Sequence, residues 1–226
     1  IFRNTMIEYI KKHNDNIVAI LLEPIQGEGG IVIPDSAYLS NLRSICDANN
    51  WLLMLDEVQS GFCRTGKWFG YQHSEVIPDV ITVAKALGNG VPIGACLTNK
   101  KASKILTPGS HGSTFGGNYL STTVGLCILD IMKDEHICNH VRTISSIMKD
   151  ALYSKIKDLK AVSDIRIYGM MIGIELHHNC TELVVKALEK GLVLNVTKER
   201  IIRLLPPLIC EEQHILNIVD IIEQLI

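Results

Sequence analysis

The chain has 226 residues, 47% of them hydrophobic and 20% charged, with a formal net charge of −2. This is a globular composition, too near neutrality to call for nucleic acid or an anionic membrane as partner, and its apolar runs, such as Ile17–Leu22, are far too short to span a bilayer. Seven cysteines, odd in number and without CxxC spacing, suit reduced thiols in a cytoplasm better than a disulfide framework. Residues 1–16 carry charges throughout and lack the apolar core of a signal peptide.

Residues 5–13 read as a short helix, and Ile17–Leu22 as a strand that delivers Glu23 at its end. Glu23–Pro34 (EPIQGEGGIVIP) is a Gly/Pro-rich loop of the kind that folds over a site. Asp35-Ser36 is placed to cap a helix over Ala37–Asn49, where Leu39, Leu42, Ile45 and Cys46 recur at helical spacing. Leu52–Leu55 is a short apolar run closed by Asp56-Glu57, and Val80–Ala84 is another that stops at Lys85; both read as buried parallel strands. Ile93–Thr98 is a further strand. Asn118 to about Glu135 and His136 to about Leu159 are helical by spacing and form one kinked connection. Beyond Lys160, strands over Ala161–Tyr168, Ile172–Leu176, Leu192–Asn195 and Ile201–Leu204 alternate with helices over Thr181–Lys190 and Glu211–Ile226. The pattern predicts an α/β chain: a mostly parallel sheet in a larger domain, residues 1–145, then a small α+β domain, residues 146–226.

In an open α/β sheet, ligands lie outside the carboxyl ends of the strands. Two such ends here carry an acid, Asp56, and an amine, Lys85. One reading is a structural salt bridge. The other is a carbonyl cofactor held by the lysine as a Schiff base, with the acid on a pyridine nitrogen, the pair of demands made by pyridoxal phosphate. A lone Arg203 inside the apolar strand IIRLLPPL needs a carboxylate, either in a structural ion pair or from a bound amino acid. Gly109–Asn118 (GSHGSTFGGN) offers Ser113, Thr114 and free N–H groups suited to a phosphate. Two other patterns carry less. GFCRTGK (Gly61–Lys67) follows a strand like a P-loop, but Trp68 stands where Ser or Thr must hold Mg²⁺. His136 and His140 around Cys138, and His177-His178 before Cys180, have no third metal ligand at a fitting spacing, so no metal site is expected.

EPIQGEGG (Glu23–Gly30), LDEVQSGFCRTG (Leu55–Gly66), PDVITVAKALGNGVPIGA (Pro78–Ala95), GSHGSTFGGN and IRLLPPL (Ile202–Leu208) together resemble the class III pyridoxal-phosphate-dependent aminotransferases, and most of all their acetylornithine branch. The motifs run in family order over nearly the whole chain. The resemblance implies fold type I, Lys85 as the Schiff-base and proton-shuttle residue, Asp56 on the pyridine nitrogen, Gln59 on the phenolic oxygen and Val58 against the ring. Glu57 is grouped with these cofactor residues, either orienting the loop or merely solvated. Thr114 is implied to reach the phosphate of a neighbouring subunit's cofactor, with Ser113 near the substrate, so a homodimer with shared sites is expected. Arg203 is implied to bind the substrate α-carboxylate, and Glu28 is either its internal partner or a plain loop acid. The implied reaction moves the terminal amino group of N-acetylornithine to 2-oxoglutarate, with succinyldiaminopimelate, ornithine and 4-aminobutyrate as rival donors.

Two departures accompany the resemblance. The family's Gly/Thr phosphate turn and ring-stacking aromatic are not found, so the chain reads as a fragment of a longer enzyme, one that alone could be inactive. The family's Arg-Gly-x-Gly is here Arg166-Ile167-Tyr168-Gly169, and Ile167 would be strained if that position needs a positive φ.

Overall fold

The computed structural model describes residues 8–10, 12 and 16–226. The helix expected over residues 5–13 lies largely outside the described residues; 8–10 and 12 are helical. Packing divides the chain into two compact units. Of the described residues, the first comprises those up to 24, 34–59 and 70–128, and the second 25–33, 60–69 and 129–226. The division falls inside a helix at 128/129, not at 145/146, because the helix after it packs with the C-terminal strands.

The first unit is built on a four-stranded sheet, β1 (Ala19–Leu22), β2 (Leu52–Asp56), β3 (Val80–Val83) and β4 (Ala95–Thr98), in that spatial order. β1, β2 and β3 are parallel, and β4 runs antiparallel to β3 along the edge. Helix α1 (Tyr38–Asn49) crosses from β1 to β2 and buries Leu39, Leu42 and Cys46. Its N-cap is Ala37 and no side chain caps it, so Asp35 and Ser36 do not play the role the sequence suggested. The chain is instead turned in by the Tyr38 N–H donating to the Asp35 carbonyl at 3.0 Å. Asp79, at the entry to β3, ties the unit together from a buried position. Its carboxylate accepts the Leu53 N–H of β2 at 2.8 Å, Arg43 of α1 at 2.7 Å and Asn99 beyond β4 at 2.8 Å.

Helix α2 (Tyr119–Asp134) is followed by His136, whose left-handed φ of 51° breaks the connection before α3 (Ile137–Lys155). The second unit's sheet, in the order β5 (Val162–Tyr168), β6 (Met171–Leu176), β8 (Ile201–Leu204), β7 (Asn195–Thr197), is antiparallel throughout. The α3 stripe Ile137, Val141, Ile144, Met148 and Leu152 repeats every three or four residues and packs on Ile172, Ile174, Leu176, Ile202 and Leu204. Helices α4 (Leu183–Glu189) and α5 (Glu212–Glu223) complete this core with Leu183, Ala187, Ile215, Val219 and Ile222. Each of the Val, Leu, Ile and Met side chains, fully buried, contributes about 1.5–3 kcal/mol of transfer free energy. Glu211 and His214 form a reciprocal capping box at the start of α5. Strand β7 starts three residues later than the expected Leu192. Lys198 and Glu199, both left-handed, make a tight turn that pairs Thr197 with Ile201 and so sets where the ladder begins.

Ile167 is unstrained: it lies within β5, opposite Ile172. The left-handed residue is Gly169, at φ 59°, and a Cβ there would stand 2.4 Å from the Arg64 carbonyl oxygen and 2.5 Å from Thr65 Cα. Gly169→Ala is therefore expected to cost roughly 2–4 kcal/mol, as left-handed strain plus a backbone clash. A denaturant titration reads it, and an unchanged midpoint would refute the account.

Candidate active site

Strands β2 and β3 pair in parallel with Asp56 beside Thr82, so the Asp56 and Thr82 side chains share one face. Lys85 follows three residues past Thr82, opening a short 3₁₀ turn, Lys85–Leu87. The acid and the amine thus emerge at the same end of adjacent strands. Lys85 is exposed and its backbone is left-handed, φ 44°, a conformation lysine seldom adopts. Its carbonyl accepts the N–H groups of Gly88 and Asn89, both at 3.1 Å, which closes the LGNG turn under it. Asp56 is half-buried and takes the Val58 N–H on Oδ1 at 2.9 Å. Among the described residues neither side chain makes an ion pair, so the structural salt bridge does not form. An acid and an amine held together yet not engaged with each other fit a ligand that needs both, and pyridoxal phosphate is such a ligand.

Glu57 is fully buried and accepts the Tyr71 N–H on Oε1 at 2.8 Å and the Gly70 N–H on Oε2 at 2.9 Å. Both oxygens hold the chain where it returns at residue 70, so of the two roles the sequence left open Glu57 takes that of orienting the loop. Val58 and Gln59 are half-buried just past the strand end. Ser113 and Thr114 are exposed; Ser113 Oγ accepts the Gly116 N–H at 2.9 Å within its own loop, and no hydrogen bond joins either residue to Asp56 or Lys85.

In the second unit, Arg203 of β8 has its carboxylate. Its Nη1 lies 2.6 Å from Glu28 Oε1, while the guanidinium is only 9% exposed and its buried Nε has no hydrogen-bond partner. The glutamate is 68% exposed, so the pair has a solvated side and a buried, half-satisfied side. That is suited to exchange for another carboxylate.

Two contributors were invisible to sequence reasoning. Burial pushes the Asp79 carboxyl up, but the Leu53 N–H, Arg43 and Asn99 outweigh it and hold it below its ordinary value. The second is Arg64, whose Nη1 donates to the carbonyls of Pro206 at 2.5 Å and Met170 at 3.3 Å; burial pulls this guanidinium down to about 10. The signal for Asp79 was an acid directly before an apolar run. Nothing local marked Arg64. The GFCRTGK stretch leads into turns and a short 3₁₀ segment, Gly70–His73, not into the helix a P-loop requires. No metal-ligating cluster occurs among the described residues, and none of their helices is long and apolar enough to cross a membrane.

A family model described as "Aminotransferase class-III" matches residues 2–226. Acetylornithine aminotransferase of Nitrosomonas europaea is 49% identical over 220 residues, 97% of this chain and 56% of its own length. Among solved structures, acetylornithine aminotransferase of Elizabethkingia anophelis superposes with a TM-score of 0.89 at 34% identity, over 97% of this chain and 59% of its own. Ornithine aminotransferase of Toxoplasma gondii superposes with a TM-score of 0.91 at 32% identity, over 98% of this chain and 53% of its own; that structure is described as having partial occupancy of PLP at its active site. The chain spans about half the length of the curated relatives it matches.

Proposed function

The chain belongs to the class-III aminotransferases, which are pyridoxal-phosphate-dependent transaminases, and from that premise we propose that the protein transfers the terminal amino group of N-acetylornithine to 2-oxoglutarate. The observation that carries the reading is the acid and amine at neighbouring strand ends, neither of them ion-paired among the described residues. Lys85 Nζ would hold the cofactor carbonyl and Asp56 its ring nitrogen. The cofactor, when bound, supplies an electron sink that makes the substrate carbon bearing the amine acidic. Asp56 would keep that ring nitrogen cationic: a carboxylate within ~4 Å of a cation at an effective dielectric near ~20 stabilises it by about 4 kcal/mol. That is about three pKa units. Lys85 Nζ, once released, takes the proton from the substrate carbon and returns it.

Arg203 and Glu28 address substrate choice. N-acetylornithine offers its terminal amine because its α-amine is acylated, whereas 2-oxoglutarate presents a carboxylate beside its reacting carbon. Glu28 covers Arg203 during the first half-reaction and yields it, on its exposed side, when that carboxylate arrives. The same reading makes the enzyme a cytoplasmic homodimer in which Thr114 serves the partner's cofactor phosphate. The exposed Phe115, Tyr119 and Leu120 beside that loop support a subunit contact there.

The test is a coupled assay on the full-length protein, comparing N-acetylornithine, ornithine and 4-aminobutyrate with 2-oxoglutarate. N-acetylornithine is expected to give the highest kcat/KM by at least about tenfold, the size of effect one pocket contact can supply. A second reading, ornithine as donor, is favoured by the likeness to the Toxoplasma gondii enzyme, and ornithine prevailing in the assay would establish it instead.

A further inference from the structure

The segment Gly61–Gly66 and the start of α3 are joined by bonds that take no part in the Asp56–Lys85 site. Arg142, on the second turn of α3, donates from Nη1 to the Gly66 carbonyl at 2.7 Å, and its Nη2 is held by Asn139 Oδ1. A Cβ on Gly66 would lie 2.8 Å from Arg142 Cγ, so segment and helix already meet as closely as their atoms allow. One turn before Arg142, Cys138 faces this junction and touches Cys63, the two sulfurs 2.6 Å apart. That separation is well inside the sum of two sulfur radii. The two sulfurs are thus already neighbours, the first requirement for a bond between them. Both are free thiols here; Cys63 is fully buried and Cys138 half-exposed. Cys63 is also held in a left-handed conformation, φ 66°, which ties its side-chain direction to the turn. No other two sulfurs are in contact among the described residues.

We propose that Cys63 and Cys138 form an internal cross-linking site, oxidised by a small-molecule disulfide of the glutathione type. The accessible Cys138, as thiolate, attacks one sulfur of the reagent; a mixed disulfide forms and one reduced thiol leaves. Cys63 then gives up its proton and attacks the Cys138 sulfur, forming the Cys63–Cys138 bond and expelling the second reagent thiolate, which takes up that proton. The protein dithiol loses two electrons and two protons, and the reagent disulfide gains them as two thiols. Burial, reinforced by the contact with Cys138, pushes the Cys63 thiol up, so the second step is the slow one and quickens as pH rises. The cross-link falls beside Arg64, whose hold on Met170 and Pro206 it would stiffen.

The experiment incubates the full-length protein, natively folded, with oxidised glutathione at neutral and mildly alkaline pH. Remaining thiols are then blocked, and intact mass and non-reducing peptide maps are recorded. The expected product is protein lighter by two hydrogens, with a peptide joining Cys63 to Cys138, formed faster at the higher pH and reversed by dithiothreitol. Cys63→Ser should instead retain glutathione as an adduct on Cys138. A wild-type protein that stops at that adduct, stays unmodified, or links a different cysteine would overturn the proposal, and none of these readouts depends on a variant folding.

Discussion

Lys85→Ala is expected to lower kcat by about 10⁴-fold or more, because one substitution removes both the covalent attachment and the proton-transfer base, the latter alone contributing ~10²–10⁴. It is also expected to leave borohydride unable to fix the cofactor to the chain. The backbone around it should not move: residue 85 lies at a strand end, and its turn is closed through its own carbonyl, not its side chain. A Lys85→Ala enzyme that kept more than about a tenth of its activity would place the reactive amine elsewhere.

The second large effect concerns stability. Asp79→Ala strands the Leu53 N–H and Asn99 and leaves Arg43, a side chain only 16% exposed, with Asp47 as its remaining carboxylate, so it is expected to destabilise the first unit by about 2–4 kcal/mol, toward the lower part of the range for breaking a buried charge pair. Urea denaturation of the full-length protein measures it. Asp79→Asn, which keeps the shape, isolates the charge. The folded carboxyl is held below its ordinary value of 3.8, so its ionisation adds stability that is complete above that value and is lost as pH falls below it. The gap between wild type and Asp79→Asn should therefore be widest near neutrality and narrow on acidification beneath 3.8. A gap constant across that range would refute the linkage.

How far the sequence revealed this arrangement depended on the range of the interactions. The β2 and β3 ends were legible because an apolar run stopped at a charged residue, a local pattern. Arg203 was legible for the complementary reason: a charge inside an apolar strand demands a partner, and Glu28, 175 residues away, was recoverable only through family resemblance. Asp79 was missed because its bonds span 26, 36 and 20 residues, and no window of sequence contains them. The Cys63–Cys138 contact, across 75 residues, was hidden in the same way. Glu57 was ambiguous because its neighbour Asp56 has the same charge at the same strand end; strand alternation turns the two to opposite faces, and Glu57's face holds the returning chain at residues 70 and 71. The misplaced cap at Asp35-Ser36 and the late start of β7 are boundary effects, where a turn's left-handed residues or a backbone bond decided what composition left open.

The left-handed backbone at Lys85 bears on how the amine can move. Holding an L-residue there costs on the order of 1–2 kcal/mol, and the cost is met by the surrounding turn before any substrate arrives. The root of the side chain is in effect a locked pivot. In the proposed reaction, every excursion of Nζ, from the cofactor carbonyl to the substrate proton, would then be made by rotation about the side chain's own carbon–carbon bonds. Such rotamer hops take picoseconds to nanoseconds, far shorter than a loop displacement, so this lysine can change tasks within a catalytic cycle without the fold taking part.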